Sequence, residues 1–281
     1  MEHWLTAYKI PIGKWIASFV GFLQDHAAWA FNAVSYGLGA VLNGLIDLMK
    51  ATPDWLLVAL FAALAYWLHR SVGLVALVVG SLLLIMNQGY WTETIETLAL
   101  VIFATGLCML IGVPIGIAAA HRPWLYTAIR PILDLMQTIP TFVYLIPALI
   151  LFGLGIVPGL ISTIIFAMPA PVRLTYLGVA SAPKPLIEAG EAFGATSRQL
   201  LWKVELPYAM PNIMAGLTQC IMLSLSMVVI AALVGADGLG VPVVRALNTV
   251  NIAKGFEAGL AIVLLAILLD RVCKRPGAAG S

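Results

Sequence analysis

Charge is the scarcest commodity in this sequence. Charged side chains make up 10% of its 281 residues, where a soluble domain of this length carries roughly a quarter. With 62% hydrophobic residues and a mean hydropathy of +1.00, a polytopic membrane protein is the class that fits. The net formal charge of +2 is too small to signal a nucleic-acid partner or electrostatic steering of a solute. Cysteine is scarce too: Cys108, Cys220 and Cys273 lie far apart in sequence with no CxxC or metal spacing, and read as inert packing residues. His3, His26, His69 and His121 are equally scattered, so no metal site is expected. No GxxxxGK[ST] phosphate loop occurs, which excludes ATP hydrolysis by this chain; no cofactor of its own is expected. HExxH and serine or cysteine triads are missing, so an intramembrane hydrolase is a poor reading. The apolar runs offer no mid-depth ionisable groups for a proton-coupled carrier. Energy for any transport must come from another molecule.

What the sequence does have is a succession of apolar runs. Lys9 and Lys14 before Ile16–Leu23 hint at a signal peptide, but Glu2 and the shortness of the run argue against one. Residues 1–52, with Trp15, Trp29 and Phe31 among Asp25, Asn32, Asn43 and Asp47, read as an interfacial amphipathic region of one or two helices. Residues 53–90 form an accessory hairpin divided at His69-Arg70-Ser71. Its two arms are shorter than the roughly 20 residues that a bilayer core requires. A third span is expected near Thr94–Ala119, broken by Pro114, followed by a basic turn over 120–131. A fourth is expected at Ile132–Phe152, containing Pro140 and Pro147, and a fifth at Val157–Ala180. The sixth covers Ile213–Gly235 and the seventh Phe256–Leu269, with a tail over 273–281. Alternation of seven spans places ten of the fifteen Lys and Arg on one side, which the positive-inside rule makes cytoplasmic.

One polar stretch, residues 181–211, interrupts this pattern with Lys184, Glu188, Glu191, Arg198, Lys203 and Glu205. That much charge keeps it out of lipid. Pro185 suits a first helical turn, and Gly194 suits the left-handed position just past a helix end. Thr196 with Gln199 forms a capping box for a second helix over Arg198–Val204, which Pro207 is expected to stop. On composition alone the stretch is a solvated connector.

The order Glu188-Ala189-Gly190, Gly194, Val204 and Leu206-Pro207 resembles the EAA loop of ABC importer permeases, with Gly190 where alanine is usual. The resemblance extends through MQTIPTFVYLIPALILFGLGIVPG (136–159), PVRLTYLG (171–178) and MLSLSMVVIAALVGADGLG (222–240) to permeases for glycine betaine, proline betaine and choline. The ADGLGVPVVRALN stretch resembles the choline permeases more. It implies an all-α type I importer (MetI-like) core over 91–272 with a coupling loop at 181–207. It further implies an inner-membrane location, a homodimer around a central pore, a separate ATPase that binds the ATP, and an extracytoplasmic binding protein. No substrate-binding domain is expected within this chain.

The resemblance assigns ATPase coupling to Glu188, Ala189, Gly190, Glu191, Phe193, Gly194, Ala195, Leu206 and Pro207. A translocation path is expected near Gln137, Thr138, Pro140, Thr141 and Tyr144, with Ser224, Ser226 and Met227. Pro140 and Pro147 free backbone carbonyls, which are tolerated where they line a cavity, and the Tyr144 ring face suits a quaternary ammonium. The other reading of these residues stays open: Ser and Thr bond across helices or to their own backbone, and Met227 simply packs. Asp134 and Arg173 are expected to form a structural ion pair. Two function classes remain, a solute-conducting transport subunit and a membrane scaffold that recruits an ATPase for another purpose.

Overall fold

The computed structural model describes residues 10–274, which form helices and short connections with no strand among them. Of residues 1–23, weighed as a signal peptide, only 1–9 lie outside the described residues, as does the tail beyond Lys274; the run Ile16–Leu23 lies within a long helix that starts at Ile12.

Helix α1, Ile12–Ala51, is a single unbroken helix of 40 residues, about 60 Å long at 1.5 Å per residue. It buries only Leu42, Ile46 and Met49, a narrow stripe at helical spacing, and leaves Trp15 and Trp29 exposed. At Thr52-Pro53 the chain turns by 103° into α2, Asp54–His69. Lys50 pairs with Glu96 at 2.6 Å and Trp91 Nε1 donates to Asp54 at 2.6 Å, which fixes this corner. Helix α3, Val72–Asn87, packs back on α2 to make the expected hairpin, with Arg70 left-handed in the turn and Ser71 capping α3.

Helix α4, Trp91–His121, runs straight through Pro114, where a break was expected. The glycines either side of that proline serve packing. A Cβ on Gly116 would lie 2.7 Å from the Val172 carbonyl oxygen, and one on Gly112 3.0 Å from Pro171 Cγ. Such close approach of backbones is how helices associate without a hydrophobic drive in lipid. The expected basic turn at 120–131 is also mostly helix, because Pro123 occupies the first helical position of α5, Pro123–Thr138. The fourth span is a bent pair and not one rod. Pro140 forces Ile139 into extended backbone (ψ 128°), and α6, Thr141–Phe152, departs at 96°.

Helices α7, Ile156–Ala167, and α8, Pro169–Ala180, join through helical Met168 into one span of 25 residues, the most deeply buried of the molecule. Helix α11, Leu206–Ala232, and α4 both pack along α8, with α11 also against α7. After it, α12, Gly240–Asn248, folds over the bundle, and α13, Ile252–Cys273, capped by Asn251, closes it. Cys108 and Cys220 are distant in sequence yet meet in one buried cluster with Leu133, Met168 and Val172.

Four helical segments are long and apolar enough to cross a membrane: Trp91–His121, Ile156–Ala180, Ser197–Ala232 and Ile252–Cys273. Counting each bent pair as one span raises that to six. Of the expected seven, four are these and a fifth is the bent α5–α6 pair; α2 reaches span length only together with α1, which was expected to be interfacial, and α3 has 16 residues.

Candidate functional site

The polar stretch folds as two short helices standing clear of the bundle. Helix α9, Lys184–Ala192, buries no residue at all. It ends in a Schellman motif: Ala195 N–H donates to Gly190 O at 3.0 Å and Gly194 N–H to Glu191 O at 2.8 Å. Gly194 is left-handed (φ 77°), as the sequence requires, with open space where a Cβ would point. Thr196 and Gln199 form the capping box that opens α10, Ser197–Leu200. Gly190 rests directly on α10, since a Cβ there would stand 2.5 Å from Leu200 Cδ2.

Pro207 does not stop the second helix. Leu201–Glu205 widen into a π-turn, Leu206 N–H reaches back five residues to Leu201 O, and the chain continues into α11. The wider turn relieves the clash that a proline ring makes with the carbonyl four residues earlier. The second short helix and the long helix α11 are therefore one continuous helical piece from Ser197 to Ala232.

Exposure marks the outer face of this element. Phe193, at the tip, is 92% exposed; Leu186 and Trp202 are each more than half exposed. Glu188, Ala189, Glu191, Gly194 and Pro207 are exposed, while Gly190, Ala195 and Leu206 are half-buried. Apolar side chains this exposed mark an interaction surface, for protein or for membrane. Sequence reasoning named Phe193 but missed Leu186 and Trp202, whose only signal was their position among charged neighbours.

Sequence reasoning also missed Glu205, the one buried charged side chain among the described residues. Its Oε2 lies 2.8 Å from His121 Nε2 at the end of α4. A carboxylate only accepts, so the ring nitrogen carries the proton and donates.

The residues expected along a translocation path fall into two groups. Gln137, Thr138, Pro140, Thr141 and Tyr144 bracket the α5–α6 bend; Ser224, Ser226 and Met227 lie on α11. Helix α6 packs mainly on α1 and α7, and α11 on α7 and α8, so one chain does not bring the groups together as a single wall. Gln137 accepts from Arg173 at 3.4 Å, and Arg173 pairs with Asp134 at 2.5 Å, the expected structural ion pair. Ser226 donates to Met222 O at 3.0 Å, and Met227, 1% exposed, packs inside the bundle. Tyr144 Oη and Ser224 Oγ are buried with no hydrogen-bond partner among the described residues, as are the hydroxyls of Thr105, Ser162 and Thr175. Each such group costs about 1–3 kcal/mol if left unpaired.

Residues 112–274 match the family model of the binding-protein-dependent transport system inner membrane component. The chain belongs to that family. It is 46% identical over 265 residues to the glycine betaine transport system permease protein OpuAB of Bacillus subtilis, covering 94% of this chain and 93% of that protein. The glycine betaine/proline betaine transport system permease protein ProW of Escherichia coli is 43% identical over 268 residues, 95% of this chain and 75% of its own. Among solved structures, an inward-facing MetNI methionine ABC transporter chain matches at a TM-score of 0.57 and 25% identity, covering 64% of this chain and 94% of that one. The permease is thus an inner-membrane subunit of an ABC importer, with a MetI-like core and a translocation role. It is a transport subunit and not an enzyme. Its system includes an ATPase and a substrate-binding protein.

Proposed function

We propose that two copies of this permease form the pore of an importer for glycine betaine and proline betaine, driven by an ATPase that docks on Lys184–Pro207. The observation that carries the coupling half is Phe193. It is an almost fully exposed aromatic on the tip of a rigid, doubly capped element in water. The ATP sits on that partner, and this chain holds no cofactor.

Glu188, Ala189, Gly190, Glu191, Phe193, Gly194 and Ala195 present the docking face, with Leu206 and Pro207 leading into α11. The path side rests on Tyr144, whose buried hydroxyl has no partner among the described residues. For Tyr144, a second copy, or a solute and water in a pore between copies, supplies what it lacks; Ser224, 0% exposed, faces the inside of its own bundle. Thr138, Pro140 and Thr141 at the α5–α6 bend, with Gln137 and Ser226, complete that lining. The long α1 leaves Trp15 and Trp29 exposed, as side chains at a membrane interface would be.

Betaines are favoured over choline because relatives at 42–46% identity carry glycine betaine in their names. The relative whose name includes choline, OpuCD of Bacillus subtilis, is 31% identical over 66% of this chain. The ADGLG stretch leans toward choline, and import measurements decide between the two. The test is reconstitution with ATPase and binding protein, followed by import of labelled glycine betaine, proline betaine and choline. Betaine import that unlabelled betaine outcompetes and choline does not is expected. Choline import at the higher rate sinks the substrate assignment.

A further inference from the structure

The junction between the coupling element and α11 is built to bend. Pro207 and Pro211 stand four residues apart and have no N–H, so the α-helical bonds to the carbonyls of Lys203 and Pro207 cannot form. Lys203, Pro207 and Pro211 share one exposed face, so the missing rungs line up on one side. Immediately before them, the π-turn Leu201–Glu205 gives the helix a second soft point, and such turns concentrate at functional sites. A push on α9 and α10 would be absorbed here unless something stiffens the joint.

That something is Glu205. It is the last residue of the π-turn, 8% exposed, and its carboxylate accepts from His121 on the final turn of α4. Burying a carboxylate is costly unless it is paired, and a buried pair is retained where it fixes one arrangement among several. Helix α4 in turn packs closely along α8 through Gly112 and Gly116. The pair therefore joins the soft joint to the rigid centre of the bundle.

We propose that His121 and Glu205 are positioning residues that make α4 move with α11 when the ATPase displaces the coupling element. This rests on the docking role of Lys184–Pro207. With the tie intact, one stroke rotates α4, α8 and α11 together. Without it the stroke is spent bending the Pro207–Pro211 joint, so ATP is hydrolysed without a matching import of solute.

The test uses the whole importer in vesicles and reads two numbers, ATP hydrolysed per solute imported and the amount of ATPase that co-purifies. His121→Ala is expected to keep the ATPase bound and stimulated while the ratio rises at least threefold. His121→Gln, which keeps a donor for the carboxylate, is expected to stay within twofold of the unmodified protein. Exchanging the pair, His121→Glu with Glu205→His, is expected to recover most of the loss. An unchanged ratio in His121→Ala overturns the proposal. Loss of ATPase co-purification would show that His121 holds the docking face itself in place, and would also overturn the proposal.

Should His121→Ala fail to insert, His121→Cys with Glu205→Cys decides the matter in a Cys273→Ser background. A short bis-thiosulfonate reagent bridges the two thiols and a reductant removes it. A high ratio in the reduced protein and a normal one in the bridged protein are expected. The same ratio in both states contradicts the tie.

Discussion

Phe193 offers the sharpest single-residue test, because it touches almost nothing in its own chain. Removing it should leave folding untouched and cost only what docking gains. Burying a phenylalanine is worth about 2 kcal/mol, or roughly 30-fold in affinity. Phe193→Ala should therefore give a permease of normal thermal stability that binds its ATPase about 30-fold more weakly, as titrated in detergent. A fall in stability with unchanged binding would place the side chain inside the fold. Gly190 behaves differently. A Cβ there meets Leu200 Cδ2 at 2.5 Å. The leucine end is flexible, so Gly190→Ala should retain more than half of normal import, with α10 shifted slightly. Import below a tenth would mean that Leu200 cannot move.

At the scale of elements, α4 carries its own internal control. Gly116 faces the Val172 carbonyl oxygen, whereas Gly106 on the same helix has nothing within 4 Å. Gly116→Val forces backbone against backbone and should destabilise by about 1–3 kcal/mol. It should lower the melting temperature of the purified permease by several degrees, while Gly106→Ala should leave it unchanged or raise it. Equal effects would deny that α4 and α8 pack through Gly112 and Gly116. The elements legible in the sequence were those decided by neighbouring residues. Gly194 at a helix end, the Thr196–Gln199 box and the hairpin turn at Arg70 each depend on a few adjacent positions, and each formed. Prolines were less legible because their outcome depends on surroundings. Pro140 broke its helix, Pro114 was absorbed within α4, and Pro207 was passed by means of a π-turn that no local rule announces. Glu205 was missed for the same reason. Its partner His121 is 84 residues away, and only tertiary packing joins them.

For the whole molecule, orientation follows from the basic residues and is checked by labelling. A cysteine replacing Asn87 should react with an impermeant thiol reagent in intact cells, and one replacing Phe193 only after the cytoplasmic side is opened. Reaction of the second in intact cells would invert the topology. The proposed translocation path was the least legible feature, since Tyr144 and Ser224, offered for it, belong to helices that one chain does not bring together. Coupling is where the account is most exposed. A side chain at Gly194 meets no neighbour in its own chain, but a β-branched one is strained at φ 77°, by about 1–2 kcal/mol. The decisive measurement is solute-stimulated ATP hydrolysis by the reconstituted importer carrying Gly194→Val. With the spans inserted as in the unmodified protein, stimulation should fall to background, and Gly194→Ala should lie between the two. Full stimulation in Gly194→Val would show that residues 181–207 are a connector and that the ATPase is coupled elsewhere.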